Sequence, residues 1–353
     1  MLNDHVEGKW VKCFTEVFAQ CAVKPGDVVA ILSETQSRQV NVQLSELALS
    51  ALGAKTFHVV LPTPPQEHKI PIRSTGTSLA LQGIQQVINA LAATDMVVDC
   101  TVEGVLHSRE LPAILAGGTK VMMVINEHPE VLERLMPDPK LREVVRYNVG
   151  VLDKGREMRV TSKHGTDLTV DLRDAPARGA AGYVDEPGKL GYWPAGLCVA
   201  FPRNNTVNGR IVLAPGDANL TFKRYIESPV TLIFENDHVV SIEGDGLDAE
   251  LTSSYYSAWD DTESYAISHV GWGLNPGARW DTMVMYDKRD INGTELRAFE
   301  GNFLFSTGAN ETANRFTACH FDYPMRNCTV EVDGETVVEE GRLMPGYKLG
   351  GLK

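Results

Sequence analysis

Cysteine is sparse in this chain, and what there is lies scattered. The six thiols, Cys13, Cys21, Cys100, Cys198, Cys319 and Cys328, form no C-x-x-C pair. That excludes a zinc ribbon and a thioredoxin-type redox motif. Positive charge is also short: 33 Lys and Arg stand against 46 Asp and Glu, a net charge of -13. Nucleic acids and anionic membranes select basic surfaces, so neither is an expected partner. No apolar run approaches the roughly 18 residues that a membrane span needs. The opening residues, Met1 to Glu7, lack the basic and then apolar regions of a signal peptide. A cytoplasmic protein with free thiols is expected. Phosphate-binding and nucleophile motifs are missing as well. Gly271-Trp272-Gly273-Leu274-Asn275-Pro276-Gly277 has the wrong spacing for G-x-G-x-x-G, and there is no Walker A sequence and no G-x-S-x-G elbow.

What is present reads as a globular protein of two parts. A chain of 353 residues exceeds one typical core. Residues 1–150 alternate helical and extended segments, the pattern of an α/β domain with a mainly parallel sheet. Helices are expected over Lys9 to Ala22, Ser37 to Ala51 (with Ser37 as N-cap), Leu79 to Ala93 and Glu127 to Leu152, the last interrupted by Pro137 and Pro139. Strands are expected over Asp27 to Leu32, Lys55 to Leu61, Asp95 to Thr101 and Lys120 to Ile125, with a long loop from Pro62 to Thr77. The texture changes near Gly150. Residues 151–353 carry short strands separated by turns and read as a β-rich α+β domain.

Two stretches of that second half bear the strongest chemistry: Ser268-His269-Val270-Gly271-Trp272-Gly273 and Cys319-His320-Phe321-Asp322-Tyr323. Two imidazoles and one carboxylate form the facial ligand set of non-haem Fe(II) sites, which leaves coordination positions open. In a strand, His320 and Asp322 project from the same face, while Cys319 faces the other way. His269 must then come from another strand or loop. The bland reading is core histidines with satisfied hydrogen bonds, and the spacing alone leaves both readings open. The surrounding Gly, Trp, Asn and Pro suggest a site built on loops.

Other candidates have equally plain alternatives. His107 lies just beyond the carboxyl end of the strand before it, where open α/β sheets bind ligands. It is an acid/base candidate, or simply precedes the helix that Ser108-Arg109-Glu110-Leu111 begins. The run from Gly182 to Gly196, with Glu186 and Trp193, is either a pocket wall or a connecting loop. Ser306 is either a substrate contact at a strand end or a turn residue. The apolar segment Arg342 to Leu349 packs on a neighbouring subunit or folds back on its own.

Taken together, these residues resemble a known family. Gly182-Tyr183-x-Asp185-Glu186-Pro187-Gly188 with Trp193-Pro194-x-Gly196, Ser268-His269-x-Gly271-Trp272-Gly273, Gly301-Asn302-Phe303-Leu304-Phe305-Ser306-Thr307-Gly308 and Cys319-His320-x-Asp322-x-Pro324-x-Arg326-Asn327-Cys328 are similar to the 2,5-dihydroxypyridine 5,6-dioxygenases. That family is related in fold to thermophilic-type metalloaminopeptidases. The resemblance implies Fe(II) held by His269, His320 and Asp322. It implies a small dihydroxypyridine substrate with O₂, ring opening between C5 and C6 to N-formylmaleamate, and His107 as a proton shuttle. Leu106, Glu186, Trp193 and Ser306 would line the substrate pocket, and a homo-oligomer is expected. The chain departs from the peptidase pattern: Leu197 follows Pro194-Ala195-Gly196 where a metal-binding Glu would stand, and His269 replaces an acidic ligand. That weighs against the rival reading, a two-metal aminopeptidase-like hydrolase. Tyr192 stands near a position where some relatives carry histidine, which leaves the exact substrate open.

Overall fold

The computed structural model describes residues 2–65, 67–70 and 77–351, so part of the loop expected over Pro62 to Thr77 lies outside it. The first region alternates as its periodicity dictates. Helix α1 (Gly8–Gln20) buries Trp10, Phe14, Val17 and Phe18 along one face. Strand β1 (Val28–Glu34), helix α2 (Gln39–Ala51) and strand β2 (Lys55–Leu61) follow. Ser37 does not cap α2. The helix starts after Arg38, and the Ser37 hydroxyl accepts the Glu34 N–H at 2.8 Å instead. Helix α3 (Gln85–Ala92) is shorter than expected, because residues 80–83 form turns. Next come β3 (Met96–Asp99), α4 (Leu111–Ala116) and β4 (Lys120–Val124). The stretch after Glu127 splits into α5 (Pro129–Arg134) and α6 (Pro139–Lys154). Each begins at a proline, whose missing N–H would have no helical partner there anyway.

Beyond α6 come β5 (Glu157–Ser162), β6 (Asp167–Asp171), β7 (Ala177–Ala180) and β8 (Leu190–Trp193). The last is unexpected. It pairs parallel with β4 and completes a parallel five-stranded sheet in the order β2-β1-β3-β4-β8. In the other direction, α6 sends Leu141, Val145 and Leu152 into the core of the second half. The change of texture near residue 150 therefore coincides with an exchange of elements.

The rest supplies β9 (Leu197–Ala200), β10 (Val207–Leu213), a two-stranded ribbon of β11 (Ala218–Asn219) and β12 (Arg224–Tyr225), and the hairpin β13 (Val230–Glu235) with β14 (His238–Glu243). Helix α7 (Leu247–Ala258), β15 (Ile267–Gly273), α8 (Thr294–Ala298), β16 (Phe303–Asn310) and β17 (Arg315–Met325) come next. Strands β18 (Cys328–Val332), β19 (Glu335–Glu339) and β20 (Arg342–Leu343) and helix α9 (Pro345–Lys348) complete the chain. The C-terminal segment folds back on its own subunit: Tyr347 O accepts from Asn148 at 2.9 Å, and Lys348 pairs with Glu300 at 2.7 Å.

These strands form two antiparallel sheets, β14-β13-β10-β6-β5-β18-β19-β20 and β17-β16-β15-β9-β7. Val160, Val170, Ile211 and Phe234 of the first meet Val270, Trp272, Phe305 and Phe321 of the second in the largest core. Alternation then sends the intervening residues of the five-stranded sheet to its opposite face. That face looks toward the carboxyl ends of the parallel strands. Between them lies a cavity of about 380 Å³.

Candidate metal centre

The floor of the cavity is three adjacent strands. In β17, Cys319, Phe321 and Tyr323 enter the core, so His320 and Asp322 both face the cavity. Central β16 pairs Ser306 with Asp322 on one side and with His269 on the other. Between Ile267 and His269 the register shifts: β15 advances two residues while β16 advances one. This bulge at Ser268 re-aims His269 onto the cavity face. Gly308 lies opposite His320 with φ +111°, and a Cβ there would stand 2.2 Å from the Cys319 carbonyl. Only glycine lets β16 and β17 approach this closely. The site is built on strands, where the sequence suggested loops.

His269, His320 and Asp322 are each less than a tenth exposed, and their ligand atoms lie within 4.8 Å of one another. The Nε2 atoms of His269 and His320 are 3.5 and 3.4 Å from Asp322 Oδ1. That oxygen lacks a hydrogen-bond donor among the described residues. A buried carboxylate oxygen with no donor is expensive unless a cation completes it. Asp322 Oδ2, by contrast, accepts from Arg297 Nε at 2.7 Å. Burial lowers His269 to about 3 and also lowers His320. For Asp322 burial pushes upward, but the Arg297 guanidinium and the imidazoles outweigh it and hold the carboxyl well below its usual range. Neutral imidazoles and an ionised carboxylate are the forms that ligate. These residues fit a divalent metal ion, and they are the one such cluster among the described residues.

The opposite wall belongs to the α/β region. Asp99 Oδ1 accepts from the Thr101 N–H at 2.9 Å and Oδ2 from the Val105 N–H at 2.8 Å. These bonds fix the turn that carries Leu106 and His107, and both line the cavity. The His107 ring sits 4.7 Å from that of His320. Its Nδ1 is bonded to Glu311 Oε1 at 2.9 Å, and its Nε2 has no partner among the described residues. Glu311 opens a short 3-10 turn after β16, which Asn310 caps through the Ala313 N–H. Leu197, Val199, Phe201 and Leu304 form an apolar side. Tyr192 and Lys223 add a phenol and an ammonium, and burial pushes the phenol up and the ammonium down.

Two expected pocket residues lie elsewhere. Trp193 ends β8 fully buried in the α/β core against Phe14, with its Nε1 donating to Leu135 O at 2.7 Å. Glu186 is exposed and pairs with Arg142 and Arg146. The Gly/Pro/aromatic run is held by helix α6 and the sheet, and of its residues Tyr192 lines the cavity. Ser306 is mid-strand, not at a strand end. It is wholly buried between the two ligand strands, and its hydroxyl has no partner among the described residues. Sequence reasoning missed Glu311, Arg297 and Lys223. No local motif marks them, since each reaches the site by tertiary contact.

Comparison with known proteins gives a consistent result. A sequence profile for 2,5-dihydroxypyridine 5,6-dioxygenase matches residues 9–345. A relative from Pseudomonas putida strain KT2440, named 2,5-dihydroxypyridine 5,6-dioxygenase, is 36% identical over 334 residues, covering 93% of this chain and 94% of its own. The solved structure of 2,5-dihydroxypyridine dioxygenase from that strain superposes with a TM-score of 0.91 at 34% identity, over 99% of this chain and 100% of that one. AmpT from Thermus thermophilus shares the fold, with a TM-score of 0.63 at 14% identity over 95% of this chain and 99% of its own. The chain belongs to the 2,5-dihydroxypyridine 5,6-dioxygenase family.

Proposed function

We propose that this protein is an Fe(II)-dependent dioxygenase that opens 2,5-dihydroxypyridine between C5 and C6. One ring and one O₂ give N-formylmaleamate, both oxygen atoms entering the product. The observation that carries the reading is the convergence of His269, His320 and Asp322 on one point at the floor of a cavity. These three would hold the iron, whose chemistry is to let electrons pass from the electron-rich ring to O₂.

The chain's own residues prepare the substrate. Leu106, Leu197, Val199 and Leu304 offer apolar surface to a flat ring and exclude water. Ser306 is buried between the ligand strands and is not among the residues that line the cavity. With the Glu311 carboxylate on Nδ1, His107 carries its proton there and presents a bare Nε2. That atom can take the proton of a ring hydroxyl and return it later. Burial keeps Tyr192 protonated, so it donates to an oxygen of the ring. Leu197 lines the cavity, and the resemblance to the peptidase motif implies a metal-binding Glu at that position, which disfavours the peptidase reading. We also read the chain as a cytoplasmic homo-oligomer. The free cysteines and the adjacent exposed Val284 and Met285 support this, and a sedimentation mass tests the assembly.

The test is direct. Anaerobic protein loaded with Fe(II) should leave the substrate's ultraviolet band intact, and admitted O₂ should remove it with about one O₂ consumed per ring, as a dioxygenation requires. Turnover without O₂, or none with it, rejects the proposal.

A further inference from the structure

Asp322 faces two ways. Oδ1 points to the ligand cluster, while Oδ2 is held by Arg297 Nε at 2.7 Å. Arg297 is itself fixed, because its Nη1 donates to Asn292 Oδ1 at 3.1 Å and lies 3.4 Å from Thr294 Oγ1. That turn is in turn fixed by Glu127, from the loop after β4 in the other half of the molecule. The Glu127 carboxylate is wholly buried. It accepts the backbone N–H groups of Asn292 at 2.7 Å, Gly293 at 3.0 Å and Thr294 at 3.1 Å. Three backbone donors on one carboxylate make a rigid joint. One relay therefore runs from Glu127 through the turn at 292–294 and Arg297 to Asp322.

We propose that Arg297 is the positioning residue of the metal centre and that Glu127 sets it from across the domain junction. By occupying Oδ2, Arg297 limits Asp322 to one ligating oxygen and leaves a coordination position free. The inference rests on reading His269, His320 and Asp322 as a metal site. It does not depend on the substrate.

The experiment uses metal-free full-length protein titrated with Co(II) alone under anaerobic conditions, without substrate. Affinity and the visible d–d spectrum are read. Removing an outer-shell partner typically weakens metal binding about 10- to 100-fold. R297M should fall in that range with an altered spectrum, and R297K should recover part of both. E127Q should show a loss, because its amide NH2 would face a backbone N–H donor, and a smaller one, because Glu127 acts only through the turn and Arg297. In the R297M background, E127Q should add less than about twofold, since residues acting through one another are non-additive. Asn292→Ala repeats the E127Q arm if that variant fails to fold by thermal melting. Wild-type affinity and spectrum in R297M overturns the inference. So does a full additional loss from E127Q or Asn292→Ala on top of R297M. Failure of the wild-type protein to bind Co(II) removes the metal-site reading itself, and the inference with it.

Discussion

The two sides of the cavity are built differently. The floor is three hydrogen-bonded strands, with each ligand's position set by register: Ser306 opposite Asp322, Gly308 opposite His320, and a bulge beneath His269. The wall is a turn after β3, and its functional side chain is secured across the junction by one bond, His107 to Glu311. A sheet can hold three atoms to a common point because many backbone bonds share the load. A single side-chain bond orients a ring and leaves it able to exchange a proton. On the proposed reading, holding metal would belong to the rigid side, and moving protons to the lighter one.

This contrast can be broken by substitution. The largest effect belongs to Asp322→Ala. Removing the one anionic ligand should abolish bound iron and with it all turnover, measured by metal content after gel filtration. An iron content near wild type would dissolve the distinction between floor and wall. His107→Ala should keep the iron yet lose turnover by about 10²- to 10⁴-fold, the usual worth of a positioned acid–base group. Equal loss of iron in both variants would refute the division of roles. Glu311→Gln should do less. The amide still reaches Nδ1 but no longer favours the tautomer with a bare Nε2, so kcat should fall on the order of tenfold with iron content unchanged. Trp193→Phe should barely touch catalysis. Loss of its bond to Leu135 O and of core volume should destabilise the fold by about 1–3 kcal/mol in urea melts, with kcat/KM near wild type. A large rise in KM instead would return Trp193 to the pocket wall.

Much of the floor was legible in the sequence. His320 and Asp322 are two apart, and a strand's period of two puts them together whatever the fold around them. Strand β2 came out over Lys55 to Leu61 as its β-branched run implied. The bulge at Ser268 was not legible, since it is a property of pairing with β16 and not of the residues themselves. Glu311 and His107 are 204 positions apart, and Glu127 and Gly293 are 166 apart. Nothing in either neighbourhood announces such partners. Trp193 and Glu186 were misplaced for the opposite reason. Their neighbourhood left a pocket wall and a connecting loop equally open, and ordering came from α6 and from a four-residue strand too short to show a pattern. The resemblance to a family pointed to Trp193 and Glu186 too, and in this chain neither lies at the cavity.

The interleaving of the two halves bears on how the molecule is made. While it emerges from the ribosome, the growing chain has an open parallel edge at β4 until the segment ending at Trp193 appears. Helix α6 must wait for β7 and, at Ala200, the end of β9 to give it a surface to cover. A fragment ending at residue 150 would leave a sticky edge and an uncovered helix, so neither half should survive as an independent product. The floor of the cavity is completed almost last, when β17 arrives.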